Sequence, residues 1–195
     1  MWKRLLLVAL VGWGGYSWWT TRAVSHGPGI VAPQAPVQRE VSDARAFDYK
    51  GHRIVPLARF SAQARVLRRE DYRLGREADL APTDLVLGWN RMSDEAGLKQ
   101  IDIGQSNRFY YWSVKEYPIP QREIETSSAN MHLIPADSAV ESKIKKVRKG
   151  QVVQVRGYLV RVEADDGWRW VSSLTREDPG AGACELIWVE ELSAL

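Results

Sequence analysis

Hydrophobic residues follow three different rhythms along the chain, and each predicts a different kind of element. Lys3 and Arg4 precede a largely apolar run from Leu5 to Trp19, and no charge occurs from Leu5 to Thr21. From Phe60 to Val66 the rhythm changes to a period of two: Phe60, Ala62, Ala64 and Val66 alternate with Ser61, Gln63 and Arg65. That alternation predicts a strand with one buried face. Ile101 and Ile103 flank Asp102, and Arg108 to Trp112 is rich in aromatics, so both segments read as strands. Val140, Ile144 and Val147 fall at i, i+4 and i+7, which predicts an amphipathic helix over about 138–149. Ser138 with Glu141 three residues on fits a capping box, and Gly150 is placed to end the helix.

The remaining pattern is broken by turn residues. Val153 and Val155 share one parity, while Tyr158, Val160 and Val162 share the other, which predicts a bulge at Gly157. Asp165-Asp166-Gly167 carries a hairpin signal. A returning strand over Trp168 to Leu174 and a final strand over Cys184 to Leu192 are expected. Upstream, Thr83 and Asp84 after Pro82 suggest a short helix, Ser93-Asp94-Glu95 a turn ended by Gly97, and Pro118 to Asn130 a long loop. The expected class is α+β: an N-terminal anchor helix, then one mostly-β domain with a C-terminal β-barrel-like unit of the OB or SH3 kind. The expected divisions are 1–22 as anchor, 23–46 as a Pro-containing linker and 47–195 as the folded domain.

A basic end followed by an apolar stretch marks export, with the positive residues left in the cytoplasm. Trp18 and Trp19 close the stretch, and indole rings favour the lipid–water boundary. This favours a retained single-pass anchor through residues 5–21, in an inner or plasma membrane, with the domain on the non-cytoplasmic side. The alternative is a signal peptide cleaved near Ala23-Val24-Ser25 and a secreted or periplasmic product. His26, Gly27, Pro28, Gly29, Pro33 and Pro36 make the following segment a spacer rather than a packed element, with His26 solvated.

Composition narrows the class of function. The chain has 195 residues, 45% of them apolar, which is too many for a disordered chain. One cysteine rules out a disulfide scaffold, and the net charge of +3 gives no strong polyanion signal. Seven Lys or Arg lie between Lys143 and Arg161, but a lysine-rich helix most often faces solvent, so nucleic acid is not the expected partner.

Two constellations could carry chemistry. Gln105 to Trp112, with Trp89-Asn90-Arg91 upstream, mixes amides, arginines and aromatics as binding grooves do. Arg91, Arg108, Tyr110 and Trp112 are the expected contacts with a protein or cell-wall component. The alternative is a thiol hydrolase or transpeptidase with Cys184 as nucleophile, His132 as base and Asn130 orienting the imidazole. A lone Cys at a strand start is more often a small buried hydrophobe, so catalysis is not the expected role. No metal or cofactor is expected: the histidines at 26, 52 and 132 do not have zinc spacing, and no carboxylates have calcium-loop spacing.

Overall fold

The computed structural model describes Trp2, Leu6 and residues 12–14, 22–175 and 184–195. Ten strands are present among them: β1 (Val37–Glu40), β2 (Phe47–Tyr49), β3 (His52–Asp71), β4 (Thr83–Gly88), β5 (Ile101–Ser106), β6 (Phe109–Val114), β7 (Ser128–Pro135), β8 (Val152–Glu163), β9 (Arg169–Val171) and β10 (Glu185–Ala194). The helices are short: α1 (Arg76–Leu80), α2 (Glu95–Leu98), α3 (Gln121–Thr126) and α4 (Ser138–Lys146), with a 3-10 turn at Asn90–Ser93.

Five strands close a ring. β3 pairs with β4, β4 with β7, β7 with β10, β10 with β8, and β8 returns to β3. β7 and β10 run parallel, and the other four pairs are antiparallel. β3 makes closure possible because it is long enough to pair with β8 along its first part and with β4 along its last. Register shifts at Leu57 and Leu67 coil it around the ring. Inside, Phe60, Leu85, Met131, Leu159 and Ile187 fill the ring, while Ala58, Ala62 and Ala64 leave room on β3. Val140 and Ile144 of α4 join the same core.

Two further apolar layers lie outside the ring. The antiparallel hairpin β5–β6 packs Ile103, Tyr110, Trp112 and Val114 towards Val86, Met92 and Ile124. On the other flank, Phe47, Tyr49, Trp168, Trp170 and Trp188 cover Ile54, Ile134, Val160 and Leu186. β4 and β7 are therefore buried along their whole length. Strands covered on both faces lose the alternation that announces a strand, which explains why the segment after Pro82 reads as a helix in sequence and folds as β4.

Other expectations are corrected in the same way. The helix runs Ser138–Lys146, and its cap is Asp137, whose carboxylate accepts the Val140 N–H at 2.8 Å; Ser138 is already inside the helix. Its C-terminal carbonyls are met by Arg69 of β3, which donates to Ile144, Lys145 and Val147. The loop expected over Pro118 to Asn130 holds α3 and the start of β7. Gly157 is not a bulge: Val153, Val155 and Leu159 keep one parity into the core, and the bulges fall in the neighbouring strands β3 and β10. The glycine is there because an added Cβ would overlap the Trp188 carbonyl. The barrel-like unit is not confined to the C-terminus, since β3, β4 and β7 supply three of its five strands.

The segment 23–46 does not merely space. Residues 24–32 are hydrogen-bonded to the domain, Ala32 is fully buried, and β1 pairs with β3. His26 is exposed, as expected, but its Nε2 also lies 2.8 Å from the Gly150 carbonyl. The apolar run Leu5 to Trp19 lies almost wholly outside the described residues. Among the described residues no helix is long and apolar enough to cross a membrane.

Candidate functional site

The β5–β6 hairpin turns at Asn107 and Arg108, both left-handed, with φ of 52° and 71°. Two positive φ values in a two-residue connection make a type I′ turn, whose twist matches paired strands. Asparagine suits this conformation, but arginine adopts it only against a backbone cost. The side chain of Arg108 offsets that cost by docking into a prepared socket. Its Nη1 donates to Asp84 Oδ1 at 2.7 Å and to the Ala81 carbonyl at 2.8 Å. Its guanidinium lies 3.8 Å from the centroid of the Tyr72 ring, and Glu77 is 3.8 Å from its Nε. The Arg108 N–H donates to the Tyr72 hydroxyl at 2.9 Å. Burial pushes that phenol up to about 12, although the bond from Arg108 works the other way.

Behind Arg108 stand the other polar residues singled out in the sequence. Asp84 and His132 face each other across the β4–β7 register. Asp84 is 0% exposed, and its Oδ2 lies 2.8 Å from His132 Nδ1, out of line for a hydrogen bond. The imidazole tilts against Trp170, with centroids 4.9 Å apart. Asn130 donates to the Arg108 carbonyl at 2.7 Å and accepts from Gln105 Nε2 at 2.8 Å. Cys184 Sγ donates to the same carbonyl at 3.7 Å and lies 3.9 Å from Asn130 Nδ2. Burial raises the thiol to about 11; the Asn130 contact lowers it, and the charges of Glu185 and Asp84 raise it further. Arg108, Asn130, His132 and Cys184 thus converge, but as the seat of the hairpin tip. A thiol held this far above neutrality carries almost no thiolate.

The other expected contacts lie elsewhere. Tyr110 and Trp112 point inward from β6, and the Tyr110 hydroxyl is 3.1 Å from Ser128 Oγ. The alternate residues Phe109 and Tyr111 are the exposed pair. Tyr111 lies over Gly104, where an added Cβ would overlap its ring. Arg91 forks onto Glu123, one arm donating at 2.8 Å.

In front of the socket an open groove of about 880 Å³ is formed by three connections: Tyr72 to Glu77 between β3 and β4, Asn107 and Arg108 at the hairpin tip, and Asp166 to Trp168 between β8 and β9. Arg76 joins the first connection to the third with two bonds to Asp166, of 3.1 and 2.5 Å. That pairing, with the Trp168 N–H donating to Asp166 Oδ1 at 3.1 Å, holds the Asp166 carboxyl below the usual range. The Arg76 guanidinium lies 5.1 Å from the Trp168 ring centroid, and Leu74 is 92% exposed on the rim.

Sequence reasoning found Arg108 but missed Tyr72, Arg76, Asp84 and Trp168. Asp84 had a usable signal: an acid inside the apolar run Leu80 to Trp89 is paired when that run is buried. Tyr72 and Arg76 sit in a mixed-charge stretch that looks like ordinary surface. Among the described residues no group of three His, Cys, Asp or Glu side chains is placed to hold a metal. No family model, curated protein or solved structure matches the chain.

Proposed function

We propose that the chain is a membrane-tethered recognition module of the cell envelope, built on an OB-type barrel, whose groove between Tyr72, Arg108 and Trp168 binds a protein or cell-wall component without catalysis. The ring order β3-β4-β7-β10-β8, its single parallel pair and the helix between β7 and β8 support the OB reading. In barrels of that kind, ligands lie against the second and third strands, between the loop joining the first two strands and the loop joining the last two. Here parts of the corresponding connections, Tyr72 to Glu77 and Asp166 to Trp168, border the groove, with the hairpin tip between them.

The observation that carries the reading is the convergence of three connections on one groove, backed by a buried ion cluster. Fixing Arg108 in a left-handed turn against Asp84 positions the groove wall before any ligand arrives, which reduces the ordering cost of binding. The lining is mixed in charge, with Arg76 and Arg108 against Glu77 and Asp166. Such a lining suits a peptide or a peptide-bearing glycan better than a polyanion. The hairpin covers much of the outer face of β4 and β7, where an OB barrel would otherwise stack bases. The raised Cys184 thiol argues against the hydrolase alternative.

Co-sedimentation of the full-length protein with purified cell-wall sacculi tests the groove. The wild type is expected to pellet with the sacculi, and Trp168→Ala and Arg76→Ala to lose at least half of that binding. If both variants stay folded and pellet as the wild type does, the groove is not the site.

A further inference from the structure

The polypeptide that leads into the barrel is fastened to it chiefly around one carboxylate, with Asp94 accepting from the Gly29 N–H at 2.8 Å beside it. Glu95 accepts from the Ser25 hydroxyl at 2.7 Å and from the N–H groups of His26 and Gly27 at 2.9 and 3.2 Å. Arg65, itself buried, donates to the same carboxylate at 3.1 Å. The Val24 N–H donates to the Lys149 carbonyl at 2.8 Å. Gly150 has φ +88°, and an added Cβ would overlap the Val24 carbonyl, so the chain lies directly on this glycine.

A pocket of about 360 Å³ opens beside the strap. Leu98, Ile101 and Ile103 make an apolar floor, while Arg68, Lys99, Lys149 and Asp102 stand around it. Lys99 leans to Glu95 at 3.8 Å, but among the described residues Arg68 and Lys149 have no carboxylate in ion-pair contact. Burial, and then the charges of Arg68 and Arg65, lower the Lys149 ammonium, and Asp102 acts against them. Like charges crowded over an apolar floor are the complement of a ligand with an anionic head and an apolar base.

Position identifies the source of that ligand. Three residue steps separate Thr21 from Val24, and a fully extended chain covers at most about 11 Å in that span. The headgroup layer of a bilayer is about 5–8 Å deep on each side. With residues 5–21 in the membrane, the pocket is held at the lipid surface. We infer that it takes the phosphate headgroup of an anionic phospholipid, with Arg68 and Lys149 on the phosphate and the glycerol backbone against Leu98 and Ile101. The inference rests on the anchored reading proposed above.

Native mass spectrometry of the full-length chain from detergent tests it, with phosphatidylglycerol, phosphatidylcholine and inorganic phosphate as separate probes. The intact mass first shows whether residues 1–21 are kept. Retained phosphatidylglycerol adducts are expected, with few from phosphatidylcholine. Arg68→Gln with Lys149→Gln is expected to weaken them about thirtyfold, as two cations near a lipid surface contribute about 1 kcal/mol each. Neither side chain belongs to the strap's fastening, so the variant keeps its fold. Equal retention of both lipids, unchanged adducts in the variant, or displacement of the lipid by inorganic phosphate alone would overturn the inference. A missing leader with lipid selectivity preserved removes the anchor and leaves the pocket; a kept leader without selectivity removes the pocket alone.

Discussion

Arg108 and Asp84 come from different layers of the fold, and their side chains meet at 2.7 Å where the hairpin tip touches the outer face of β4. Arg108 is 13% exposed and Asp84 not at all. A carboxyl group so deeply buried needs a charged, hydrogen-bonded partner, and Arg108 supplies it. The pair therefore pins the hairpin to the barrel and fixes one wall of the groove.

Removing one member of that pair strands the other. Asp84→Asn is expected to cost about 3 kcal/mol or more in urea denaturation, in the range for broken buried ion pairs. Combined with Arg108→Met, the loss is expected to be smaller than the sum of the two single losses, because the second change removes the uncompensated charge. Additive losses would show that the two side chains act independently.

Strap docking is expected to depend on acid pH. The Ser25 hydroxyl, followed by the backbone of His26, pulls the Glu95 carboxyl from an ordinary value of 4.5 down to about 2. A carboxyl lowered on folding adds stability that is fully present above its ordinary value and is lost as pH falls towards the folded value. Hydrogen exchange at the amides of His26 and Gly27 is therefore expected to be slow and flat above about pH 5, after correction for intrinsic rates. Protection is expected to fall between 4.5 and about 2. Glu95→Gln is expected to abolish the pH dependence.

Two glycines with nearly the same backbone separate strain from collision. Gly150 has φ +88° and Gly167 has φ +87°, but only at Gly150 does an added Cβ meet another part of the chain, the Val24 backbone. Gly167→Ala is expected to cost about 1 kcal/mol, the price of a left-handed alanine. Gly150→Ala is expected to cost more and to release the strap, read as faster exchange at the Val24 amide.

Cys184 is expected to alkylate slowly. Raising the thiol from 9.0 to about 11 reduces its thiolate at pH 8 by roughly a hundredfold. The iodoacetamide rate is expected to climb with pH up to about 11, and Cys184→Ala to leave sacculus binding unchanged. A fast reaction at neutral pH would revive the hydrolase reading.

The amino-acid sequence by itself determined the periodic elements. Phe60 to Val66, Ile101 to Ile103 and Val140 to Val147 each bury one face, so their rhythm survives in the linear pattern and foretells two strands and a helix. It also determined the turn at Asp165-Asp166-Gly167, because that choice is local. Only the tertiary structure decided which strands close the ring. β4 and β7 are covered on both sides, which erases alternation, and the parallel β7–β10 pair joins residues about fifty positions apart by contacts that leave no local mark. The site shows the same division. Arg108, Asn130, His132 and Cys184 were visible as residue types, but their meeting place depends on a hairpin folding back over the barrel. Tyr72, Arg76 and Trp168 become groove residues only when three distant connections converge, and Glu95 becomes a fastening only when the strap is laid across it. Local preference acts over a few residues, whereas burial and charge pairing act through space.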